Sequence, residues 1–529
     1  MLQIEKSNSV IISFILSVLM VVSILSKFSF VSSIQIASFL LAFLLFIYLL
    51  NTNKVKINSY IVTAILFFVA SFLSYVGADL KVNVRDYLIV LSSALMSGFS
   101  FSFLSTEWKK KIFIVPIFIS LWLSMILFTK FATHPENFFQ ADNFYENMNL
   151  NINVIAGFLA LVYPLFFVYI KEQKKTKIFI TMMIFVLFAI FLTKCTIVIL
   201  LSFISIIIFL LGYRKNKIIK GLIAISIISL ISAIFYVLML KSHFNTIGDI
   251  LISWKTAYLI FKENVFFGCG FGNYMVLFKA FRPESVNTFF ANNIFMQMLA
   301  EIGLVGVLSF LVLLFSFYKK FIDRIIEGKD LNFYICVAVS ITSFIIINLV
   351  DHSFFVPANM LVFFIIFSSM FNIESEQRKK TKIGFYVCLA IYAVVLFSFA
   401  KPVIANNYCK KGIGFYVSGY YKVAIEEFVK AINFDKRNPE YYAQTSRAYF
   451  ALYDKHRGED GQVYADNAIK YLQKAIELNK YSAQFRSSLA LVYWNNDNKK
   501  EALKTIQEAI KYDKYNPYYE EEFYRIKNS

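Results

Sequence analysis

The residues of this chain that could do chemistry are concentrated between positions 249 and 309. Asp249, Trp254 and Lys255 are followed by Gly268-Cys-Gly270-Phe-Gly272, by Lys279 and Arg282, and by Asn292-Asn293. Gln297, Glu301, Gly303 and Gly306 close the stretch. Glu301 lies inside an apolar run, where an ionisable side chain is costly and is a functional candidate by default. Its other reading is a hydrogen-bonding role inside a helix bundle. The spacing Gly-x-Gly-x-Gly, without a preceding strand unit or a following acidic residue at the required distance, fits a dinucleotide fingerprint poorly. Glycines at this density instead fit a tight re-entry turn close to a ligand or a membrane surface. His243, His352 and Asp249 could take up a proton. His243 and Asp249 read equally well as solvated loop residues, and His352 as a helix cap. Asn151, Asn153, Asn292 and Asn293 can also cap helices, and Lys279 and Arg282 can pair with anionic headgroups. No cofactor or metal is expected. The five cysteines form no CxxC, and no loop on the side of these residues carries a carboxylate pair or His cluster at ligand spacing.

The elements that must position these residues are membrane helices. Of the 529 residues, 58% are hydrophobic and only 16% charged, against about 25% charged in a soluble domain. The apolar residues come in blocks of spanning length: 9–26, 33–50, 58–78, 87–105, 112–129, 152–170, 177–193, 196–212, 218–240, 293–318, 333–350, 357–373 and 383–400. Only helices satisfy their backbone in lipid at this length. The first block reads as an anchor rather than a removed signal. The pair 177–193 and 196–212 is either a tight hairpin or one broken segment. If the N-terminus is cytoplasmic, the inside connections hold 22 Lys and Arg, from Lys6 through Lys109–Lys111 to Lys382. The outside connections hold about half as many. The net charge of +19 is thereby read as topology, and no nucleic-acid partner is expected. Two long connections, 130–151 and 241–292, fall outside, as does the C-terminal domain; long ordered loops on a rigid scaffold tend to carry function.

From about residue 404 both charge signs become frequent and the apolar pattern turns amphipathic. Ala468-Ile469 recurs as Ala502-Leu503 and Ala475-Ile476 as Ala509-Ile510, both after 34 residues. Ala424-Ile425 and Ala431-Ile432 match after 44, which is 34 plus an insertion of ten near Asp454–Val463. Asn438-Pro439 and Asn516-Pro517 close the first and third units. The period resembles the tetratricopeptide repeat, whose small Ala positions let paired helices approach. Such solenoids offer a face to a protein partner, or serve as a cap without one. The expected fold is all-α: a polytopic bundle of about 12–13 spans over 1–403, then a tetratricopeptide-like solenoid over 404–529.

The run from Trp254 through Gly-x-Gly-x-Gly to Asn-x4-Gln-x3-Glu-x-Gly-Leu-x-Gly resembles the O-antigen ligase and polymerase superfamily. Asn151-Ile-Asn153-Val-Ile-Ala156-Gly157, ending in Pro164, and Asp351-His352-Ser353, ending in Pro357, are similar to two further stretches of that family. The resemblance covers roughly 130–375, and repeats after the membrane domain also fit it. It implies a membrane glycosyltransferase of cell-surface polysaccharide assembly. Such an enzyme moves a polyprenyl-pyrophosphate-linked glycan to a glycan, lipid or protein acceptor. The setting would be the outer face of the bacterial cytoplasmic membrane, with the repeat domain extracytoplasmic.

That reaction needs cations for the pyrophosphate leaving group and a base for the acceptor hydroxyl. Lys194, Lys255, Lys279 and Arg282 are the cations on the outer side, and Asn293 a further substrate contact. The family's His falls at Asn292, which cannot act as a base. Its Ser-Arg after a mid-chain helix falls in the stretch Thr193-Lys194-Cys195-Thr196, which has no Arg, and Lys255 stands near another position that is Arg in many members. Glu301 and His352 are the replacements for the base, with His243 and Asp249 behind them. A second reading follows from these departures: a catalytically degenerate scaffold of the same fold, recruiting envelope-assembly partners through its repeats. A transporter is a third, against which the spans show no two-fold repeat and few buried charges.

Overall fold

The computed structural model describes residues 6–25, 32–133, 152–172, 176–211, 244–286, 288–373, 375–377, 382–456 and 459–529. Ten helices form the first stretch: α1 (Lys6–Leu25), α2 (Ser32–Thr52), α3 (Ser59–Leu73), α4 (Lys81–Ser102), α5 (Thr106–Ile112), α6 (Ile114–Thr133), α7 (Ile152–Val162), α8 (Phe166–Glu172), α9 (Thr176–Leu192) and α10 (Thr196–Leu211). The bundle continues with α11 (Phe244–Glu263), α12 (Tyr274–Phe281), α13 (Ile294–Glu327), α14 (Leu331–Ile347) and α15 (Pro357–Ser368). A long helix, α16 (Lys382–Val417), leads into α17 (Tyr421–Phe434), α18 (Pro439–Lys455), α19 (Glu459–Leu478), α20 (Ala483–Asn495), α21 (Lys499–Tyr512) and α22 (Pro517–Asn528). Among the described residues the strand structure is one short antiparallel pairing, β1 (Asn53–Val55) with β2 (Ser375–Gln377).

By length and composition three described helical segments can cross a membrane: Thr106–Thr133, Ile152–Ile170 and Ile294–Glu327. Seven shorter apolar helices of 10–17 residues accompany them. Their outward faces are apolar as well. Ile65, Met125, Phe188 and Phe315 are 57%, 61%, 61% and 70% exposed, a pattern that suits lipid and not water. The weak pair 177–193 and 196–212 resolves as two helices, α9 and α10, joined by a tight turn in which Lys194 takes φ 52°. The span expected at 218–240 and the connection 134–151 lie outside the described residues, as does His243. The connection 241–292, expected as a long loop, is largely helical through α11 and α12.

Contacts sort the connections into two ends of the bundle. At one end β1 pairs with β2. The wholly buried Lys109 donates from Nζ to Phe371 O (2.6 Å), Asn372 Oδ1 (2.6 Å) and Ser369 O (3.3 Å), serving carbonyls that the end of α15 leaves unpaired. Lys110 meets Asp330 at 2.8 Å. At the other end Phe271 N donates to Ser74 Oγ (3.2 Å), Asn83 Nδ2 to Gly272 O (3.2 Å) and Ile294 N to Asn348 O (2.7 Å). Connections to which the Lys and Arg pattern gives the same side thus touch one another.

The C-terminal helices form three antiparallel pairs and a final helix: the last part of α16 with α17, α18 with α19, α20 with α21, then α22. Ala424, Ala431, Ala468, Ala475, Ala502 and Ala509 are all fully buried where the helices meet. The ten inserted residues lengthen a pair rather than a loop: α18 has 17 residues against 13 in α20, and α19 has 20 against 14 in α21. The junction expected at 403/404 falls inside α16, beside Pro402, so one helix carries the chain from bundle to repeats. The repeats rest on the second end of the bundle. Arg85 Nη1 meets Asp435 at 2.8 Å, Lys480 meets Asp79 at 2.7 Å and Arg282 Nη2 meets Asp513 at 2.6 Å. Tyr515 Oη donates to Pro283 O, and Phe281 lies against Tyr481 with ring centroids 5.9 Å apart.

Candidate active site at a broken helix

The apolar run from Ile294 predicts one continuous helix, but α13 breaks at Gly303, with φ 66° and ψ −168°. The 264–272 segment fills the break. Cys269 N donates to Ala300 O (2.8 Å), Gly270 N to Glu301 O (2.9 Å) and Leu304 N to Val265 O (2.9 Å). Irregular backbone at membrane depth persists only where protein satisfies its polar groups in this way. The glycines are sterically required: a Cβ on Gly268 would overlap the Glu301 backbone, and one on Gly303 the Phe266 backbone. Both also hold positive φ, where other residues are strained.

Eleven residues before the break, the chain turns sharply into α13. Asn292 takes φ 49°, a left-handed conformation that asparagine tolerates better than most residues. Its Oδ1 lies 3.1 Å from His352 Nδ1. The same Nδ1 lies 3.3 Å from Asp351 Oδ1, and the imidazole stacks on Phe290 with centroids 4.5 Å apart and planes 8° apart. Among the described residues Nε2 makes no hydrogen bond. Nδ1–H can therefore be held by Asp351 and Asn292 while Nε2 keeps a lone pair, the arrangement of a positioned general base. Burial pushes the Asp351 carboxyl up. The neighbouring His352 and bonds from His352 and Ser353 outweigh burial and leave it below the usual carboxylate range. Asp351 thus stays an anion against the ring. His352 and Asp351 side chains are 13% and 12% exposed, which leaves a narrow approach. Gly157 of α7 admits Ser353, whose side chain a Cβ there would meet.

The remaining sequence candidates are distributed differently. Glu301 is buried and pairs with no cation among the described residues; its Oε1 accepts from Tyr274 N (3.1 Å) and Gln297 Nε2 (3.4 Å). Asn293 caps α13 through Oδ1 and donates from Nδ2 to Leu349 O at 2.9 Å, so its polar atoms are used within the fold. Lys279 and Arg282, expected to face a phosphate, instead share one carboxylate: Asp513 lies 2.6 Å from Arg282 Nη2 and 3.7 Å from Lys279 Nζ. Arg282 Nη1 also donates to Val286 O (2.7 Å). Lys194 is exposed in the α9–α10 turn, next to Cys195, whose thiol lies within the field of Asp351. Lys255 is exposed on α11, two residues beyond Ser253, whose Oγ reaches Ala291 O at 3.0 Å. Asp249 is exposed on the same helix. The structure therefore brings Asn292 and His352 together, keeps Lys194 and Lys255 at the same end, and takes Lys279 and Arg282 into the interface with the repeats. Asp351 and Phe290 were missed as site residues. The adjacency of Asp351 to His352 was a readable signal; the stacking of Phe290 was not.

Residues 181–311 match the family model of O-antigen ligase. That segment holds Lys194, Lys255, the glycine turn, Asn292 and Glu301, and ends before His352. No curated protein matches the chain. Solved structures that match include the first tetratricopeptide domain of Spaghetti (RPAP3) bound to an HSP90 peptide, at 20% identity over 24% of this chain and 93% of that one, TM-score 0.21. The first such domain of human RPAP3 matches at 21% identity over 24% and 92%, TM-score 0.22. The Cut9-Hcn1 hetero-tetramer of the APC/C matches at 14% identity over 83% and 76%, TM-score 0.21. The repeat assignment rests on the helix pairs and buried alanines above. The chain thus carries a segment that matches the O-antigen ligase family model within an all-helical, multi-pass membrane bundle that continues into tetratricopeptide-like repeats.

Proposed function

We propose that this protein transfers a polyprenyl-pyrophosphate-linked glycan to a hydroxyl acceptor at the outer face of the cytoplasmic membrane, in cell-surface polysaccharide assembly. The observation that carries the reading is the Asp351–His352–Asn292 array within the O-antigen ligase-like bundle. The acceptor hydroxyl gives its proton to His352 Nε2 as its oxygen bonds to the anomeric carbon of the donor sugar. The bond from that carbon to the pyrophosphate oxygen breaks, and the electron pair leaves with the pyrophosphate. Asp351 stabilises the imidazolium that forms. Asn292 orients the ring instead of supplying the base. Lys194 and Lys255 hold the pyrophosphate as point charges, without the bidentate geometry of arginine. Chemistry of this kind needs no metal from the chain.

The second reading is a scaffold in which chemistry has been lost and the repeats recruit an envelope-assembly partner. It is favoured by one observation: Lys279 and Arg282 are already paired with Asp513. A membrane assay separates the two. Wild-type protein in liposomes, given polyprenyl-pyrophosphate oligosaccharide and a glycan acceptor, is expected to lengthen or ligate the glycan. His352→Ala is expected to abolish that product at equal protein level. Transfer by His352→Ala at the wild-type rate would remove the proposed base, and no transfer by any form would favour the scaffold.

A further inference from the structure

Five buried residues close a hydrogen-bonded ring beneath the Asn292 turn. Tyr274 N donates to Glu301 Oε1 (3.1 Å), and Gln297 Nε2 donates to the same oxygen (3.4 Å). Ala291 N donates to Gln297 Oε1 (3.1 Å). Ala291 O accepts from Ser253 Oγ (3.0 Å), whose single proton is shared with Ile250 O (2.7 Å). Tyr274 Oη donates to Ser253 O (3.0 Å) and completes the circuit. All five residues are at most 1% exposed. The ring joins α11, α12, the 291–292 turn and the part of α13 that precedes the break at Gly303.

Its polarity is set at one residue. A carboxyl Oε1 in contact with Tyr274 N and Gln297 Nε2 can only accept, so it fixes which way the Gln297 amide faces. Gln297 Oε1 must then point at Ala291 N. Ala291 is held at its N–H by Gln297 and at its carbonyl by Ser253. The next residue is Asn292, in a left-handed conformation that persists only where the surroundings over-determine it, and its Oδ1 meets His352 Nδ1.

We propose that the Tyr274–Glu301–Gln297–Ala291–Ser253 ring is a positioning device for His352: Glu301 and Gln297 act on the imidazole through the Asn292 turn, and Glu301 is not itself an acid or base. The functional half of this inference rests on the transfer reading above. The structural half does not.

The test uses the full chain in liposomes with two readouts. One is the rate at which diethyl pyrocarbonate labels His352 at fixed pH, read by mass spectrometry. Exposed His456 in the repeats is the internal reference for an intact fold. The other is glycan transfer, resolved into kcat and KM. Gln297→Leu and Glu301→Leu are expected to label His352 about tenfold faster and to lower kcat about a hundredfold with KM little changed, the scale of effect expected from a reacting group displaced by about 1 Å. Glu301→Gln keeps the accepting Oε1 and is expected to restore both readouts. If Gln297→Leu fails to accumulate, Ser253→Ala removes a single link and is expected to move both readouts in the same direction. The proposal is overturned if His352 labels at the wild-type rate in the folded Gln297 or Ser253 variants. It is also overturned if Glu301→Gln is as defective as Glu301→Leu. Absence of transfer in the wild type would end the transfer reading, while the labelling rates would still decide the ring.

Discussion

Two polar clusters share one end of the bundle and make opposite use of charge. Around His352 an anion and an amide converge on one nitrogen, an aromatic ring stacks on the imidazole, and the other nitrogen is left open among the described residues. Around Arg282 two cations converge on the buried Asp513 and are occupied. The first cluster joins two connections of the bundle and sets its carboxylate against an imidazole. The second joins the bundle to the repeats. Residue type alone cannot separate these uses, since Arg282 is better suited than any Lys to bind a phosphate. What separates them is what the contacts leave over: among the described residues Nε2 of His352 is left open, whereas Arg282 is already held by Asp513.

Substitutions can break that contrast, beginning with the largest effect. His352→Ala is expected to lower glycan transfer about 10²–10⁴-fold, as removal of a general base does, with protein level and repeat docking unchanged on native gels. Gly303→Ala places a side chain against the Phe266 backbone at positive φ. It is expected to cost several kcal/mol, read as loss of folded protein in a thermal-shift assay. Asp513→Ala strands the buried Arg282 and is expected to weaken repeat docking by about 3 kcal/mol, read as faster proteolysis in the bundle–repeat junction, with transfer chemistry retained. Lys480→Ala, at a pair in which the Lys side chain is 55% exposed, is expected to weaken docking by less than about 1 kcal/mol. Acid sharpens the comparison further. Because the folded Asp351 carboxyl is held below its usual range, its contribution is present at neutral pH and is lost as pH falls through that lowered value. The stability that this carboxylate contributes should therefore hold down to about pH 4 and fall only below it, read as the difference in unfolding temperature between wild type and Asp351→Asn across that range.

Much of the fold was legible because it follows from periodicity. The 34-residue offsets of Ala468/Ala502 and Ala475/Ala509 placed the helix pairs, since only a small side chain fits where paired helices meet. The Lys and Arg pattern foresaw which connections share an end. What escaped was tertiary. The apolar run 293–318 gives no sign that Gly303 breaks the helix, because the break is stabilised by backbone from 264–272 that is distant in sequence. The hairpin at Lys194 was left open because two apolar runs with one polar interruption fit either form. In the site, Asn292 and His352 were both singled out, 60 residues apart, without a reason to join them. Glu301 was noticed for its cost in an apolar setting, but its partners Tyr274 and Ser253 have no sequence signature. Arg282 and Lys279 were expected at a phosphate because nothing in the sequence places Asp513 beside them.

The measurement that tests the account most directly is glycan transfer in liposomes by His352→Ala and Arg282→Ala side by side, each at matched protein level. The account predicts that His352→Ala loses the product while Arg282→Ala retains it with looser repeats. Retention by His352→Ala together with loss by Arg282→Ala would contradict it, and would move the reacting centre from the Asn292 turn to the interface with Asp513.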